Sequence, residues 1–299
     1  MVFDQLSLRA LSAIVREGSF EAAADSLGMT QPAVSQRIKA LEERVGAQLL
    51  VRGRPCVATR YGQILSQLAD QISFLEFDAK QSLDALGMAT GVSPAVLRIA
   101  VNADSIATWF STVVHRSRAE LGIFLDILSE DQTKTAKLLA AGDVVGAITT
   151  ETLSIPGSTL TPLGSMRYVA VAAPAFVGPH FDNGVTPASL RRAPALHYDR
   201  DDRLPDRWAL QAFGEVCVLR GHCIPSYGGY LACCLAGSGW GMMPLISVRA
   251  LIESGALIDL MPQTRLHEPL FWHVSARRSK TMALLGDIVA EEARAALDR

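Results

Sequence analysis

Charged and aromatic side chains are scarce in this sequence. Only 19% of its 299 residues are charged and 6% are aromatic, while 49% are hydrophobic. This balance excludes an intrinsically disordered chain and predicts packed globular domains, two or three for a chain of this length. The formal net charge is −2. The chain as a whole therefore lacks the strongly basic balance that is typical of a general nucleic-acid binder.

Several kinds of segment are also missing. No uncharged apolar run could span a bilayer and no basic-apolar leader opens the chain, so we expect no membrane contact and a cytoplasmic location. No zinc motif, nucleophile-elbow serine or phosphate loop occurs, so we expect no catalytic residues, no metal and no cofactor. The cysteines lack metal-site spacing and are expected to be reduced thiols; they are Cys56, Cys217, Cys223, Cys233 and Cys234.

The N-terminal 62 residues form the basic end of the chain, with eight Lys and Arg against six Asp and Glu. Three short helices are predicted there. Gly18 ends the first, Ser19 caps a second over Phe20–Leu27, and Thr30 caps a third over Gln31–Val45. Two short helices joined by a glycine turn indicate a helix-turn-helix whose last helix enters the major groove of DNA.

The third helix has two distinct faces. Its apolar positions form one stripe that is expected to be buried: Val34, Ile38, Leu41 and Val45. Amide, hydroxyl and ammonium groups on the other face suit base and phosphate contacts, although an ordinary solvated helix face would look the same. A predicted strand pair follows, with arginines at its tip, as in a wing. The candidate DNA contacts are Thr30, Gln31, Pro32, Ala33, Ser35, Gln36, Lys39, Arg52 and Arg54.

A long helix is predicted after Thr59. Its apolar residues recur at steps of four and three, which is typical of a coiled-coil seam and indicates dimerisation; they are Tyr61, Leu65, Leu68, Ile72, Leu75, Ala79, Leu83 and Leu86. Packing of this stripe on the chain's own body is the alternative. Gly87, Gly91, Ser93 and Pro94 then mark a hinge.

The remaining two hundred residues alternate predicted strands and helices, which favours parallel α/β layers. Strands are expected at Leu97–Val101, Ile123–Leu128, Gly146–Thr149, Tyr168–Ala172, Ala195–Tyr198, near Cys223, Trp240–Met243 and Leu270–Val274. Helices are expected at Ile106–Ala119, Thr133–Ala141, Pro187–Arg191, Asp206–Phe213, Tyr227–Ala236 and Thr281–Leu297. Two α/β lobes crossed by the chain place a ligand cleft between them, at the carboxyl ends of strands.

The N-terminal pattern resembles the LysR-type transcriptional regulators. The matching residues include Gly18-Ser19-Phe20, Ala23-Ala24, Thr30-Gln31-Pro32-Ala33-Val34-Ser35, Leu41-Glu42, Leu49-Leu50, Arg52 and Thr59-x-x-Gly62. In the body, Gly239-Trp240-Gly241-Met242-Met243-Pro244 is similar to a family turn, and Gly146 stands where the family usually has an acid. The resemblance implies a winged helix-turn-helix (residues 1–58), a dimerisation helix (59–91) and a two-lobed effector domain like a periplasmic binding protein (92–299). The first lobe would span 92–163 and 264–299, and the second 164–263.

Other stretches resemble one branch of that family, the arginine- and lysine-responsive activators of basic amino-acid export. They are Ile99-Ala100-Val101-Asn102-Ala103-Asp104-Ser105, Pro174-x-Phe176, Asn183-Gly184-Val185-Thr186 and Pro269-Leu270-Phe271-Trp272-His273. The resemblance implies double-stranded promoter DNA and lysine or arginine as ligands, a homodimer or dimer of dimers, and RNA polymerase as a candidate partner. Gly228 stands where this branch tends to have an acid, so a different metabolite stays an alternative.

The candidate effector residues follow from strand ends and helix starts. Backbone N–H groups and polar side chains that open a helix suit an α-carboxylate, and acids at strand ends suit a guanidinium or an ammonium. The candidates are Asn102, Ala103, Asp104, Ser105, Glu130, Asp131, Thr149, Thr150, Asp199, Ser226 and Tyr227. Helix capping by Asp104 or Ser105 and solvated acidic turns are the plainer explanations.

A thiol-based redox switch is the alternative of a different class. Cys217 and Cys223 lie close in sequence, and His222 beside them could lower the pKa of a thiol. A disulfide between the two cysteines after peroxide treatment would indicate such a switch.

Overall fold

The fold is given by a computed structural model that describes residues 2–88, 91, 94–129, 135, 138, 139, 143–150, 152, 158–275 and 279–298. The predicted helix Thr133–Ala141 and the candidate residues Glu130 and Asp131 lie largely or wholly outside these ranges. None of the described helices combines the length and the hydropathy that a membrane span requires.

Three helices and a short strand pair form the N-terminal domain. They are α1 (Gln5–Glu17), α2 (Phe20–Leu27), α3 (Gln31–Val45), β1 (Leu50–Val51) and β2 (Val57–Ala58). The predicted caps are confirmed: Ser19 Oγ accepts from the Ala22 amide at 3.0 Å, and Thr30 Oγ1 from the Ala33 amide at 3.4 Å. Leu11, Ile14 and Ile38 are almost fully buried in one core shared by the three helices.

The long helix α4 (Arg60–Ala85) begins at Thr59, as predicted. Its apolar residues do not form one free seam, because Leu65 and Ala69 pack into the N-terminal core and Phe77 packs into the core of the body. Packing on the chain itself therefore uses one side of the helix. The apolar side chains of α4 and its end that remain exposed are Tyr61, Ile64, Leu75, Leu83 and Leu86.

The body holds the remaining elements. Its strands are β3 (Val96–Val101), β4 (Phe124–Ser129), β5 (Gly146–Thr149), β6 (Ser158–Ala172), β7 (Ala195–His197), β8 (Gly221–Cys223), β9 (Gly241–Pro244), β10 (Ile258–Asp259) and β11 (Leu266–Ser275). Its described helices are α5 (Ala103–Thr108), α6 (Phe110–Leu121), α7 (Pro174–Phe181), α8 (Pro187–Arg192), α9 (Leu204–Phe213), α10 (Tyr227–Leu235), α11 (Leu245–Glu253) and α12 (Lys280–Ala296). The predicted helix Ile106–Ala119 is two helices, which meet at Trp109.

The sheet of the body is mixed, not parallel throughout. Its order is β10-β6-β11-β5-β3-β4, with β9 also paired to β6. Strand β3 runs parallel to β4 and β5, as expected, but β11 is antiparallel to β5 and β6. The reason is that the chain crosses to the second lobe on β6 and returns on β11. The ladder of these two strands is interrupted once, between Leu270 and Phe271.

Helix α4 is also tied to the far end of the chain. The Asp78 carboxylate accepts from Ser279 Oγ at 2.8 Å, from the Lys280 amide at 2.8 Å and from the amide and hydroxyl of Thr281. These groups form the first turn of α12, whose amides have no partner within the helix. Asp78 therefore caps α12 from another element and fixes α4 to the body.

We expect Asp78→Ala to lower the free energy of unfolding by about 1–3 kcal/mol, because buried donors lose their acceptor. In a chain of this size that corresponds to a Tm decrease of roughly 2–4 °C for each kcal/mol. Thermal unfolding followed by circular dichroism measures it. Lys80→Ala, an exposed position of the same helix, is the control, and equal melting curves for the two variants would contradict the capping role.

Candidate functional site

The outer face of α3 presents the candidate DNA contacts together. Val34, Ile38 and Leu41 are buried against the other two helices, which turns the opposite face outward. Of the seven candidates in and before α3, Thr30 is the N-cap residue, five lie in the N-terminal half of the helix and Lys39 follows them. Thr30, Gln31, Pro32, Gln36 and Lys39 are exposed, whereas Ala33 and Ser35 are half-buried. This face has the dimensions and the donor and acceptor groups that a major groove admits.

The two arginines of α3 contact the N-terminal segment of the chain. Arg37 Nη1 lies 3.2 Å from a carboxylate oxygen of Asp4, and Arg44 Nη1 donates to the carbonyl of Val2 at 2.7 Å. Lys39 lies 3.9 Å from Glu43, and both side chains are mostly exposed. Such an exposed pair contributes little energy, which leaves the Lys39 ammonium available for a phosphate.

The wing is the two-residue pair β1–β2 with its tip at Gly53 and Arg54. The guanidinium of Arg52 lies over the Phe20 ring, 5.5 Å from its centroid, and so ties the wing to the start of α2. Arg52 and Arg54 are both exposed. The two cations are therefore accessible on the wing, and Arg52 lies against α2, the helix that precedes α3.

The cleft of the body has a volume of about 510 Å³, which suits a small molecule. It opens where β3 ends and α5 begins. Its described lining is Asn102, Ala103, Asp104, Ser129, Tyr198, Asp199, Asp201, Asp202, Arg203, Leu204, Arg207, Pro225, Tyr227, Tyr230, Met242, Met243, Pro244 and Glu268. Five carboxylates thus face two guanidinium groups, and the lining is acidic. The described residues contain no group of three or more His, Cys, Asp or Glu side chains arranged to hold a metal ion.

The start of α5 has polar atoms without protein partners. Asn102 is the N-cap residue, but no side chain makes a capping hydrogen bond there. The buried atoms Asn102 Oδ1 and Ser105 Oγ have no hydrogen-bond partner in the part of the chain that the structure describes. Helix capping by Asp104 or Ser105, the plainer explanation of these residues, is therefore wrong. Because unpaired buried polar atoms are unfavourable, they indicate a missing ligand or water.

Asp104 points to Tyr168, whose hydroxyl donates to its carboxylate at 2.5 Å. The carboxyl group is surrounded by protein, and this burial raises the pKa of Asp104 to about 6; the nearby Asp202 adds to the increase and the Tyr168 hydrogen bond opposes it. Burial and the adjacent Asp104 raise the pKa of Tyr168 well above its usual value. The carboxylate of Asp104 is thus available to a cation, but it is only partly stabilised by the chain.

The acids of the second lobe are held in a tight loop after β7. Asp202 accepts from the Tyr198 amide at 2.8 Å and the Leu204 amide at 2.9 Å, and burial raises its pKa. Asp199 accepts from the Asp201 amide at 2.8 Å. Both oxygens of Asp202 and one oxygen of Asp199 therefore accept from the backbone of this loop, and both residues line the cleft.

The structure brings together five of the predicted effector-binding residues around this cleft and separates others from it. Asn102, Ala103, Asp104, Asp199 and Tyr227 line it, and Ser105 lies beneath the same helix start. Ser226 is not among the described lining residues; its Oγ accepts from the Gly229 amide at 3.3 Å and caps α10. Thr149 and Thr150 also lie outside the described lining, and both have partners within the chain.

Sequence reasoning missed the charged pair of the cleft and the tyrosine that binds Asp104. Glu268 and Arg207 line the cleft but are far apart in the chain, and Tyr168, which donates to Asp104, lies inside a predicted core strand. In the fold, Arg207 Nη2 lies 2.5 Å from Glu268 Oε1, and the Glu268 side chain is only 6% exposed. One signal was present, because Glu268 is a lone acid in the otherwise largely apolar β11.

The cysteines are free thiols in the described fold. Cys217 is buried, and this burial raises the pKa of its thiol, while Cys223 is exposed. A raised pKa keeps the thiol protonated and disfavours the reactive thiolate.

Two family models match nearly the whole chain. Residues 6–63 match the bacterial regulatory helix-turn-helix protein, lysR family, and residues 83–294 match the LysR substrate binding domain. The first model contains α1 to β2, and the second contains the cleft.

Individual proteins are similar over their full length. The HTH-type transcriptional regulator ArgP of Pseudomonas fluorescens (strain Pf0-1) is 40% identical over 284 residues, 95% of each chain. The crystal structure of ArgP from Mycobacterium tuberculosis has a TM-score of 0.83 at 38% identity and covers 100% of this chain and 99% of its own. Full-length LysG from Corynebacterium glutamicum with bound effector Arg has a TM-score of 0.72 at 32% identity, with 99% and 100% covered.

Proposed function

Because this chain belongs to the lysR family of bacterial helix-turn-helix regulators, we propose that the effector which controls it is a basic amino acid, lysine or arginine. It is a DNA-binding transcription regulator and not an enzyme. The effector would occupy the cleft between the two lobes and control a gene for an exporter or for amino-acid metabolism.

The acidity of the cleft is the observation that carries this proposal. Its described lining has five carboxylates and two arginines, and both arginines are already near acids: Arg207 lies 2.5 Å from Glu268, and Arg203 lies 3.9 Å from Asp206. A cleft of this charge attracts a cationic side chain and repels an acidic ligand. The amides that open α5 would hold the α-carboxylate, and the unpartnered Asn102 Oδ1, an acceptor, would bind the α-ammonium group. The bound arginine of the similar LysG structure is consistent with this chemistry.

The DNA-binding residues are proposed on the face of α3 and the wing. Gln31, Gln36 and Lys39 would contact base edges or nearby phosphates, and Arg52 and Arg54 would contact the backbone. The exposed apolar side chains of α4 would pack against the same helix of a second copy, which places two α3 helices on one two-fold symmetric site. The dimer, or a dimer of dimers, would act in the cytoplasm.

The proposed mechanism is a population shift. An effector that binds one lobe arrangement better than another stabilises that arrangement by the difference in its binding free energies. Since Asp78 ties α4 to the start of α12, a rearranged body would also move α4 and the attached α3 helices. In this mechanism residues 1–58 are the DNA-binding domain, residues 59–91 are the dimerisation helix and residues 92–299 are the effector domain. The second lobe of the effector domain would span residues 164–263.

A thermal-shift panel tests the effector. Arginine and lysine at 100 times Kd should each stabilise the full-length chain by about 2.7 kcal/mol. Citrulline, which has the shape of arginine without its charge, should have little effect, and so should glutamate. If lysine, arginine and histidine leave the melting curve unchanged while another metabolite raises it, the basic amino-acid assignment is wrong.

A further inference from the structure

The ion pair between Arg207 and Glu268 lies inside the effector cleft itself. Glu268 is on the crossing strand β11 and its residue is 5% exposed, so its carboxylate needs a cation or a proton. Arg207 reaches it from α9, and half of the Arg207 side chain remains exposed on the cleft side. A buried acid is thus paired with a guanidinium that keeps much of its contact with solvent.

The neighbourhood of Glu268 has further features of a ligand site. Glu268, Asp104 and Asp202 all lie near enough to Tyr168 to act on its hydroxyl electrostatically. Asn102, which lines the same cleft, is 8% exposed and its Oδ1 has no hydrogen-bond partner among the described residues. An unsatisfied buried acceptor and an acid paired with a half-exposed guanidinium therefore lie in one cavity.

We propose that Glu268 is the cation subsite of the cleft, and that the guanidinium of Arg207 occupies it in the absence of effector. The side-chain cation of the effector takes the place of Arg207 on Glu268, and Arg207 turns outward to solvent. This inference rests on the proposed basic effector. It assigns to Arg207 the role of a built-in competitor, which sets how much effector is needed for a response.

Chemical rescue tests the subsite without the amino acid. Arg207→Ala leaves Glu268 without its guanidinium, so its Tm should fall below that of the wild type. Ethylguanidinium at millimolar concentration should restore most of that Tm in Arg207→Ala and should have no such effect on the wild type or on the double variant Arg207→Ala/Glu268→Gln. Ethylurea, which has nearly the same shape and no charge, is the ligand control. Absence of rescue by ethylguanidinium would overturn the subsite.

Arginine binding by calorimetry tests the competition. Arg207→Gln, which removes the charge and keeps a polar side chain at this position, should bind arginine about tenfold more tightly than the wild type. Glu268→Gln should bind it more weakly than the wild type. Arg191→Gln is the matched control, because Arg191 is a similarly exposed arginine of the same lobe that pairs with Glu215 and lies outside the described cleft lining, and it should leave the affinity for arginine nearly unchanged.

The outcomes separate the two proposals. Weaker or unchanged arginine binding by Arg207→Gln would overturn the competition, since Arg207 would then hold the effector or take no part. A third outcome is rescue by ethylguanidinium although neither the wild type nor any variant binds arginine. This outcome would support the guanidinium subsite and refute the basic amino-acid effector.

Discussion

Arginine binding is expected to weaken roughly tenfold when the pH is lowered from 7.5 to 5.0, because Asp104 takes up a proton over this range. Burial raises the pKa of Asp104 to about 6. The α-ammonium group of bound arginine favours the ionised carboxylate of Asp104 and lowers its pKa. The proton and the effector therefore compete for Asp104. Affinity is therefore full above about pH 7 and declines as the pH falls through 6. Isothermal titration at a series of pH values measures the decline.

Asp104→Asn should weaken the binding of arginine and abolish the pH dependence of that binding. At pH 7.5 the variant should bind arginine at least about 30-fold more weakly, which corresponds to about 2 kcal/mol for a truncated charge pair. Asp182→Asn, an exposed aspartate after α7, is the isosteric control. A pH profile for Asp104→Asn with the wild-type slope would show that another group, such as the neighbouring Asp202, controls the titration.

The double variant Arg52→Ala/Arg54→Ala should lose on the order of 10²–10³ in operator affinity at physiological salt. Each phosphate contact that is lost lowers the salt slope of log K by about 0.9, and a dimer would lose four contacts, about 3.6 in total. Removing Arg52 also removes its contact with the Phe20 ring. Fluorescence anisotropy at several salt concentrations measures both the affinity and the slope.

Arg118→Ala is the matched control for the wing variant. Arg118 also lies over an aromatic ring, 5.2 Å from the centroid of Phe124, but it belongs to α6 of the body. It should leave the operator affinity and the salt slope unchanged. A wing variant with an unchanged salt slope would show that the wing arginines do not contact phosphates.

The N-terminal domain could be predicted almost residue by residue from the sequence. Its helices begin at Ser19 and Thr30, whose side chains bond to the next turn, and end at glycines. Such signals are local, so they need no knowledge of the rest of the fold. The prediction of a coiled-coil seam along α4 was less accurate, because Leu65 and Phe77 pack within the chain. Periodicity identifies apolar positions but does not show which partner covers them.

The cleft could be located from strand ends, but its charges could not be paired. Arg207 and Glu268 lie 61 positions apart, and they meet only because α9 packs against β11. The first half of β6 was also missed, because its alternating Ser and Thr residues lack an apolar run. Helix α7 contains Pro179 and a glycine, which weaken the helical signal.

The unusual Gly146 has an explanation that only the fold supplies. A Cβ atom at this position would lie 2.4 Å from the ring of Trp272 on the neighbouring strand β11. The Trp272 ring thus fills the space of a side chain at 146, which is where the family usually has an acid. A glycine at position 146 therefore makes room for the Trp272 ring within the sheet.

The ladder between β6 and β11 resists rotation of one lobe against the other. Ten residue pairs hold the two strands together through both lobes, with one bulge between Leu270 and Phe271. Beside that bulge, Gly164 has a φ of +119°, and a Cβ there would lie 2.5 Å from the Asp298 carbonyl oxygen. Rotation of one lobe against the other must twist this ribbon, at a cost that rises with the angle. An effector therefore has to offset the free energy of this twist through the difference in its affinity for the two lobe arrangements, so a ligand that binds both equally well leaves the ribbon unchanged however tightly it binds.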